Sequence, residues 1–124
     1  MMFDCDPATV IDQQLAAWRA RDAEAFASHY AADAVMTDHP GVVTFSGREA
    51  IQARYAQAFA TRGPAEVVIE TRIVSGDYVV DDETVSWSQG GGRAVVIYRV
   101  QNCLITRADY LPFQAAPAGT EAVQ

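Results

Sequence analysis

Apolar positions divide the chain into a helical half and an extended half. Ile11, Leu15 and Trp18 recur at helical spacing after Asp6 and Pro7. That pair suits a helix start, because Asp caps free amides and Pro needs no amide partner. A first helix is expected over residues 7–21, with Gln14 at the edge of its apolar stripe. A second, over 23–31, puts Phe26 and Tyr30 at i and i+4. A third, over 47–61, has an apolar face of Ile51, Tyr55, Ala58 and Phe59, and Arg62, Gly63 and Pro64 stop it. Between the last two, residues 34–37 and 42–45 read as short strands around the turn Asp38, His39, Pro40, Gly41. Ser46 and Glu49 have the spacing of a capping box for the third helix.

From residue 65 the pattern becomes extended. A β-branched run at 67–75 turns at Gly76 and Asp77, and a partly alternating stretch at 78–88 turns at 89–92. Strands at 93–100 and 103–111 follow, joined by Gln101 and Asn102. The acidic run Asp81, Asp82, Glu83 reads as a solvated or edge segment, with a pocket role left open for Asp82. Trp87 and Tyr78 suit a pocket wall or a dimer face. Helices followed by an antiparallel meander imply an α+β fold, helices on one face of a curved sheet with a hollow between. One domain is expected over 1–111. Residues 112–124, rich in Ala, Pro and Gly, read as a loosely ordered tail.

Composition narrows the function classes. The 124 residues are 50% hydrophobic and 20% charged, ordinary for a folded domain with a real core. No apolar run approaches the ~20 residues of a membrane span. The N-terminal MMFDCDPAT lacks a basic region followed by an apolar one, so no signal peptide is read and a cytoplasmic protein is expected. Cys5 and Cys103 form no framework and are read as free thiols. A net charge of −7, with nine basic residues scattered among sixteen acids, excludes a nucleic-acid surface. The three glycines at 90–92 precede a strand and not a helix, so they read as a flexible turn and not a phosphate loop. His29 is read as a surface residue, and no metal or cofactor is expected.

The order of elements, the phrase YAADAVMTDHP, the SGREAI helix start and the late RAVVIYRVQNCLITRADYL hairpin resemble the SnoaL-like and ketosteroid-isomerase-like families of the nuclear transport factor 2 (NTF2-like) superfamily. The resemblance spans roughly residues 7 to 111. It implies three N-terminal helices packed on a strongly curved, mainly antiparallel cone-shaped sheet, an apolar pocket, and a homodimer formed through the outer sheet face. In the steroid isomerases a strand-end Asp shuttles a proton while a Tyr and a protonated Asp hold the enolate oxygen, an enzyme long used to illustrate pKa tuning. Asp38 falls on the proton-shuttling position. The Tyr position is held by Gln14 and the oxyanion Asp position by Val96. A carboxylate takes a proton from a weak carbon acid only if the charge left behind is stabilised. Tyr30, Tyr55 and Tyr98 are the candidates to supply a hydroxyl from another wall.

The limonene epoxide hydrolases of the same superfamily suggest a second arrangement. Asp109 resembles their last-strand acid, while Thr84 and Ser86 occupy the positions of its Arg and Asp partners. Arg107 lies two residues from Asp109 and shares its strand face, so a cluster of Asp38, Arg107 and Asp109 is one possible route to a site. His39 is either a second proton carrier or a solvent-facing turn residue. The expected site thus has Asp38 and His39 as catalytic groups. Gln14, Trp18, Tyr30, Tyr55 and Phe59 are its helical and first-strand walls, and Val96, Tyr98, Arg107 and Asp109 its later-strand walls. Two readings follow. One is an isomerase, cyclase or hydratase using Asp38 on an apolar steroid-, polyketide- or terpenoid-like carbonyl compound. The other is a non-catalytic ligand-binding or dimerisation domain.

Overall fold

The computed structural model describes residues 5–116. Two helices, α1 (Pro7–Arg19) and α2 (Ala23–Ser28), precede strands β1 (Tyr30–Asp38) and β2 (Val42–Ser46) and helix α3 (Arg48–Thr61). Strands β3 (Ala65–Ser75), β4 (Tyr78–Trp87), β5 (Gly90–Gln101), β6 (Leu104–Tyr110) and the two-residue β7 (Gln114–Ala115) complete the fold. The sheet order is β2-β1-β6-β5-β4-β3, with β7 added to β5, and every pairing is antiparallel except β1 with β6. Bulges in the β1/β2, β3/β4 and β5/β6 ladders, such as that between Met36 and Thr37, bend the sheet. Its concave face closes over the helices, and the α+β cone expected from the sequence is the fold observed.

The core is built from the inward parity of each strand and one stripe of each helix. Val10, Ile11 and Leu15 of α1, Phe26 of α2 and Ile51 of α3 meet Met36, Val67, Val79, Val96, Val100 and Ile105 from the sheet. Phe26 sits at the centre of the aromatic packing, its ring 4.3 Å from Tyr55 and 5.4 Å from Tyr30 between centroids. Among the described residues, no helix is long and apolar enough to cross a membrane.

Several local expectations are corrected. The first helix ends at Arg19, and the second ends at Ser28 because Tyr30 has already entered β1. Asp22 caps α2, its side chain accepting from the Ala25 amide at 3.0 Å. Asp6 instead takes the Thr9 hydroxyl, and no side chain caps α1. The capping box at Ser46 and Glu49 does not form. Ser46 is the last residue of β2, and the cap is Gly47 at φ 98°, a conformation that favours glycine.

The three glycines at 90–92 begin β5 and are not a free turn. A side chain on Gly92 would strike the backbone of Gln114 and Ala115, so glycine lets β7 lie against β5. The start of the expected loose tail is therefore paired, and Phe113 stacks on Trp87 at 6.2 Å; the remainder of that tail, from 117, lies outside the described residues. Cys5 and Cys103 are not free thiols but a disulfide, Cα to Cα 5.2 Å. Sequence spacing gave no sign of it, because the two are brought together only when the start of α1 packs beside the β5–β6 turn.

Candidate functional site

Alternation along β4 decides which acids enter the cone. Val79, Asp81 and Glu83 are buried, whereas Tyr78 and Thr84 are exposed. The acidic run expected at a solvated edge lies instead in an interior strand of the sheet, with Asp82 turned outward to pair with Arg93 at 2.8 Å. Asp81, fully buried, receives the Arg72 guanidinium through two nitrogens at 2.6 and 2.9 Å, and a third nitrogen of Arg72 reaches Asp12 at 2.8 Å. Glu83 has no such partner. It is 6% exposed, and its Oε2 is buried without a hydrogen bond. Burial, reinforced by the neighbouring Asp81 charge, raises its carboxyl from the ordinary 4.5 to about 7.

Four tyrosines surround that carboxyl electrostatically. Burial pushes Tyr30, Tyr55, Tyr98 and Tyr110 above the ordinary phenol value and the Glu83 charge adds to it in all four, whereas in Tyr55 the hydrogen bond with Tyr110 and the charges of Arg54 and Arg62 offset part of the rise. They therefore remain protonated at neutral pH, and their hydroxyls can donate to negative charge. Those of Tyr55 and Tyr110 stand 3.3 Å apart. That of Tyr30 is already committed, donating to Gln14 Oε1 at 2.6 Å with both residues buried. Replacing Gln14 by Leu leaves this hydroxyl without an acceptor and is expected to lower stability by about 2 kcal/mol in urea unfolding. Adding Tyr30→Phe to Gln14→Leu should restore much of the loss, because neither partner then strands a polar atom.

One step along the inner face of β4 from Glu83, Val85 lines a cavity of about 160 Å³ between the end of α1, α3 and strands β3 and β4. Its walls carry Trp18, Tyr55, Phe59 and Trp87, with Arg21, Arg54 and Arg62 around them. On the other side of Tyr55 an open groove runs between α3 and β1–β2, lined by Met36, Asp38, Phe45 and Tyr110 among others. Asp38 faces that groove from the end of β1 and is exposed. His39 is exposed in the following turn.

The structure thus brings Trp18, Tyr55 and Phe59 together at one cavity, and Tyr30, Gln14, Val96 and Tyr98 into the core behind it. Arg107 and Asp109 do not join them. Asp109 is level with Thr37, and Asp38 with Tyr110, so Asp109 and Asp38 project from opposite faces and the expected Asp38, Arg107, Asp109 cluster is absent. Burial opposes ionisation of Asp109, but hydrogen bonds from Thr37 and Arg107 outweigh it and hold the carboxyl below its ordinary value. Sequence reasoning missed Glu83, Tyr110 and the arginines of the cavity. Strand alternation was the one available signal for Glu83, and it needed the register to be used.

A curved sheet wrapped on three helices, with a tyrosine-lined interior and a small side cavity, places the chain in the class of cystatin-fold, NTF2-like proteins. A model of the SnoaL-like domain matches residues 11–108, and the chain belongs to that family. An uncharacterised cystatin-fold protein from Novosphingobium aromaticivorans superposes with TM-score 0.81 at 20% identity, covering 88% of this chain and all of the other. A hypothetical protein of ketosteroid isomerase-like fold from Catenulispora acidiphila, in complex with trimethylamine, gives 0.69 at 22% identity and 82% coverage of both chains. An LEH-like epoxide hydrolase from Mycobacterium tuberculosis gives 0.72 at 15% identity, covering 87% of this chain and 82% of the other. No functionally curated protein matches the chain.

Proposed function

We propose that this SnoaL-like protein is a small-molecule enzyme of the isomerase, cyclase or hydratase kind, and that the proton it moves is carried by Glu83 and not by Asp38. The observation that carries the reading is the buried Glu83 carboxyl, without a partner for Oε2 and titrating near 7. A general base works best when its pKa lies near the working pH. Asp38 is exposed at the end of β1, on the open groove. Tyr55 and Tyr110, kept protonated by burial, supply hydroxyls for an enolate oxygen. They take the role that Val96 cannot fill and that Gln14, held by Tyr30, is not free to take. The substrate class is a small enolisable carbonyl compound seated at Tyr55, which lines both the side cavity, with Trp18, Phe59 and Trp87, and the open groove that Tyr110 lines. Glu83 stands one inward position along β4 from the Val85 of the cavity wall.

Deuterium exchange alpha to the carbonyl, followed by proton NMR over a panel of cyclic enones and lactones, tests the assignment. Glu83→Gln should slow exchange by about a hundredfold or more, and Asp38→Asn should leave it within a few fold. The reverse pattern would return the base to Asp38. Binding without exchange for any compound would favour a ligand-binding domain.

A homodimer through the outer sheet face belongs to the same proposal. Val68 and Ile73 of β3, 52% and 59% exposed, share the face of Thr84 and Val80 and are apolar positions a second copy would cover. The Cys5–Cys103 bond persists best in oxidising surroundings, which weighs against a cytoplasmic placement.

A further inference from the structure

We infer that the molecule taken up by the side cavity is an organic anion, a one-ring carboxylate whose charge is held by Arg54 and Arg62. The inference rests on the reading of that cavity as the ligand site. The chain contains nine arginines and no lysine, against sixteen acids. Most of the arginines are committed elsewhere. Arg72, Arg93 and Arg107 are ion-paired to aspartates, Arg19 and Arg48 donate to backbone carbonyls, and Arg21 donates to the carbonyls of Phe59 and Arg62 at the end of α3. Arg99 lies over Tyr78, away from the cavity.

Arg54 and Arg62 differ from the paired arginines, and they differ from Arg99, whose buried Nε also lacks a hydrogen-bond partner, in lining the cavity. Among the described residues neither side chain makes an ion pair or a hydrogen bond, and each guanidinium is offered to an aromatic face, Arg54 to Phe45 at 5.8 Å and Arg62 to Trp87 at 5.9 Å. Both line the same cavity, with Arg21 beside them; Arg54, over Phe45, also borders the open groove on the other side of Tyr55. The walls of the cavity carry no Asp or Glu, Glu83 lying one inward position along β4 from Val85. In a chain of net charge −7, three cations around one cavity with no lining acid are a local reversal of sign. Stacking leaves the edges of a guanidinium free, and those edges carry the donors that match a carboxylate. The volume limits the rest of the ligand. A dry cavity of ~150 Å³ accepts benzene, so about 160 Å³ holds one ring, with the charged group left to the guanidinium edges of Arg54 and Arg62.

The only two tryptophans of the chain, Trp18 and Trp87, both line this cavity, so intrinsic fluorescence reports its occupancy directly. The test titrates 3-phenylpropanoate, its neutral amide and 3-phenylpropylamine into the full chain at pH 8, in low salt and in ~0.5 M salt. The acid is expected to bind at least tenfold more tightly than the amide, and the amine more weakly than either. Added salt, or the double substitution Arg54→Gln with Arg62→Gln, should erase the preference for the acid while leaving the affinity for the amide unchanged. Equal binding of acid and amide, or tightest binding of the amine, would overturn the anion assignment and leave the cavity as an apolar ligand site. If none of the three changes the fluorescence or appears bound by saturation-transfer NMR, both the anion assignment and the cavity reading fall. If the variants lose the amide as well, the arginines act on the fold and not on the charge, and the inference is overturned.

Discussion

Glu83→Gln should make the protein more stable at pH 8, by roughly 3 kcal/mol, while leaving it nearly unchanged at pH 4. In the unfolded chain the carboxyl ionises near 4.5, and in the folded protein near 7. Between those values the folded state holds a proton that the unfolded state has released. Stability is therefore fully present below pH 4.5 and is lost as pH rises through 7. A difference of about two and a half pH units corresponds to roughly 3 kcal/mol. Gln keeps the shape of the side chain and removes the ionisation, so the variant should show a flat profile over this window. Urea unfolding at pH 4, 6 and 8 measures it. Parallel wild-type and variant curves would mean that Glu83 titrates like an exposed acid, and the proposed base would be lost with that result. A variant that is both more stable and unable to catalyse exchange would be the usual trade of stability for a poised catalytic group.

Loss of the Cys5–Cys103 bond should cost about 4 kcal/mol. The bond closes a loop of sequence separation 98, and chain-entropy arguments give a cross-link of that span about 4 to 5 kcal/mol through restriction of the unfolded chain. It also anchors a turn in which Asn102 and Cys103 both have positive φ, 54° and 66°, the pair of left-handed residues that a tight two-residue hairpin turn requires. Replacing both cysteines by serine, or adding dithiothreitol, should move the urea midpoint down together and to the same extent. A midpoint indifferent to reductant, with two free thiols by mass spectrometry after alkylation, would return the cysteines to the unpaired state expected from sequence.

Helical periodicity made part of one cavity's wall legible in the sequence. Trp18, Tyr55 and Phe59 were expected on a pocket wall because each lies on the apolar stripe of a helix, and all three line the cavity. The same reasoning found α3 to within a residue, since Gly63 and Pro64 end it for chemical reasons. It failed for α2, where Tyr30 fits a helical stripe with Phe26 equally well but is drawn into β1, beside Ile105 of β6. Long-range pairing there overrode local spacing.

What the amino-acid sequence determined by itself was the order of elements, the α+β class and the helical residues that would be buried, because helix stripes and turn residues are local properties. The choice between strand faces belonged to the tertiary structure. Side chains alternate with a period of two, so Asp81, Asp82 and Glu83 allow two readings that local sequence cannot separate. Packing of α1 and α3 on one face of the sheet, in one register, buries Glu83, turns Asp82 outward and separates Asp109 from Asp38. The pairing of Cys5 with Cys103 and the gathering of Arg21, Arg54 and Arg62 at one cavity have the same origin, since residues 8 to 98 positions apart become neighbours only after the cone has closed.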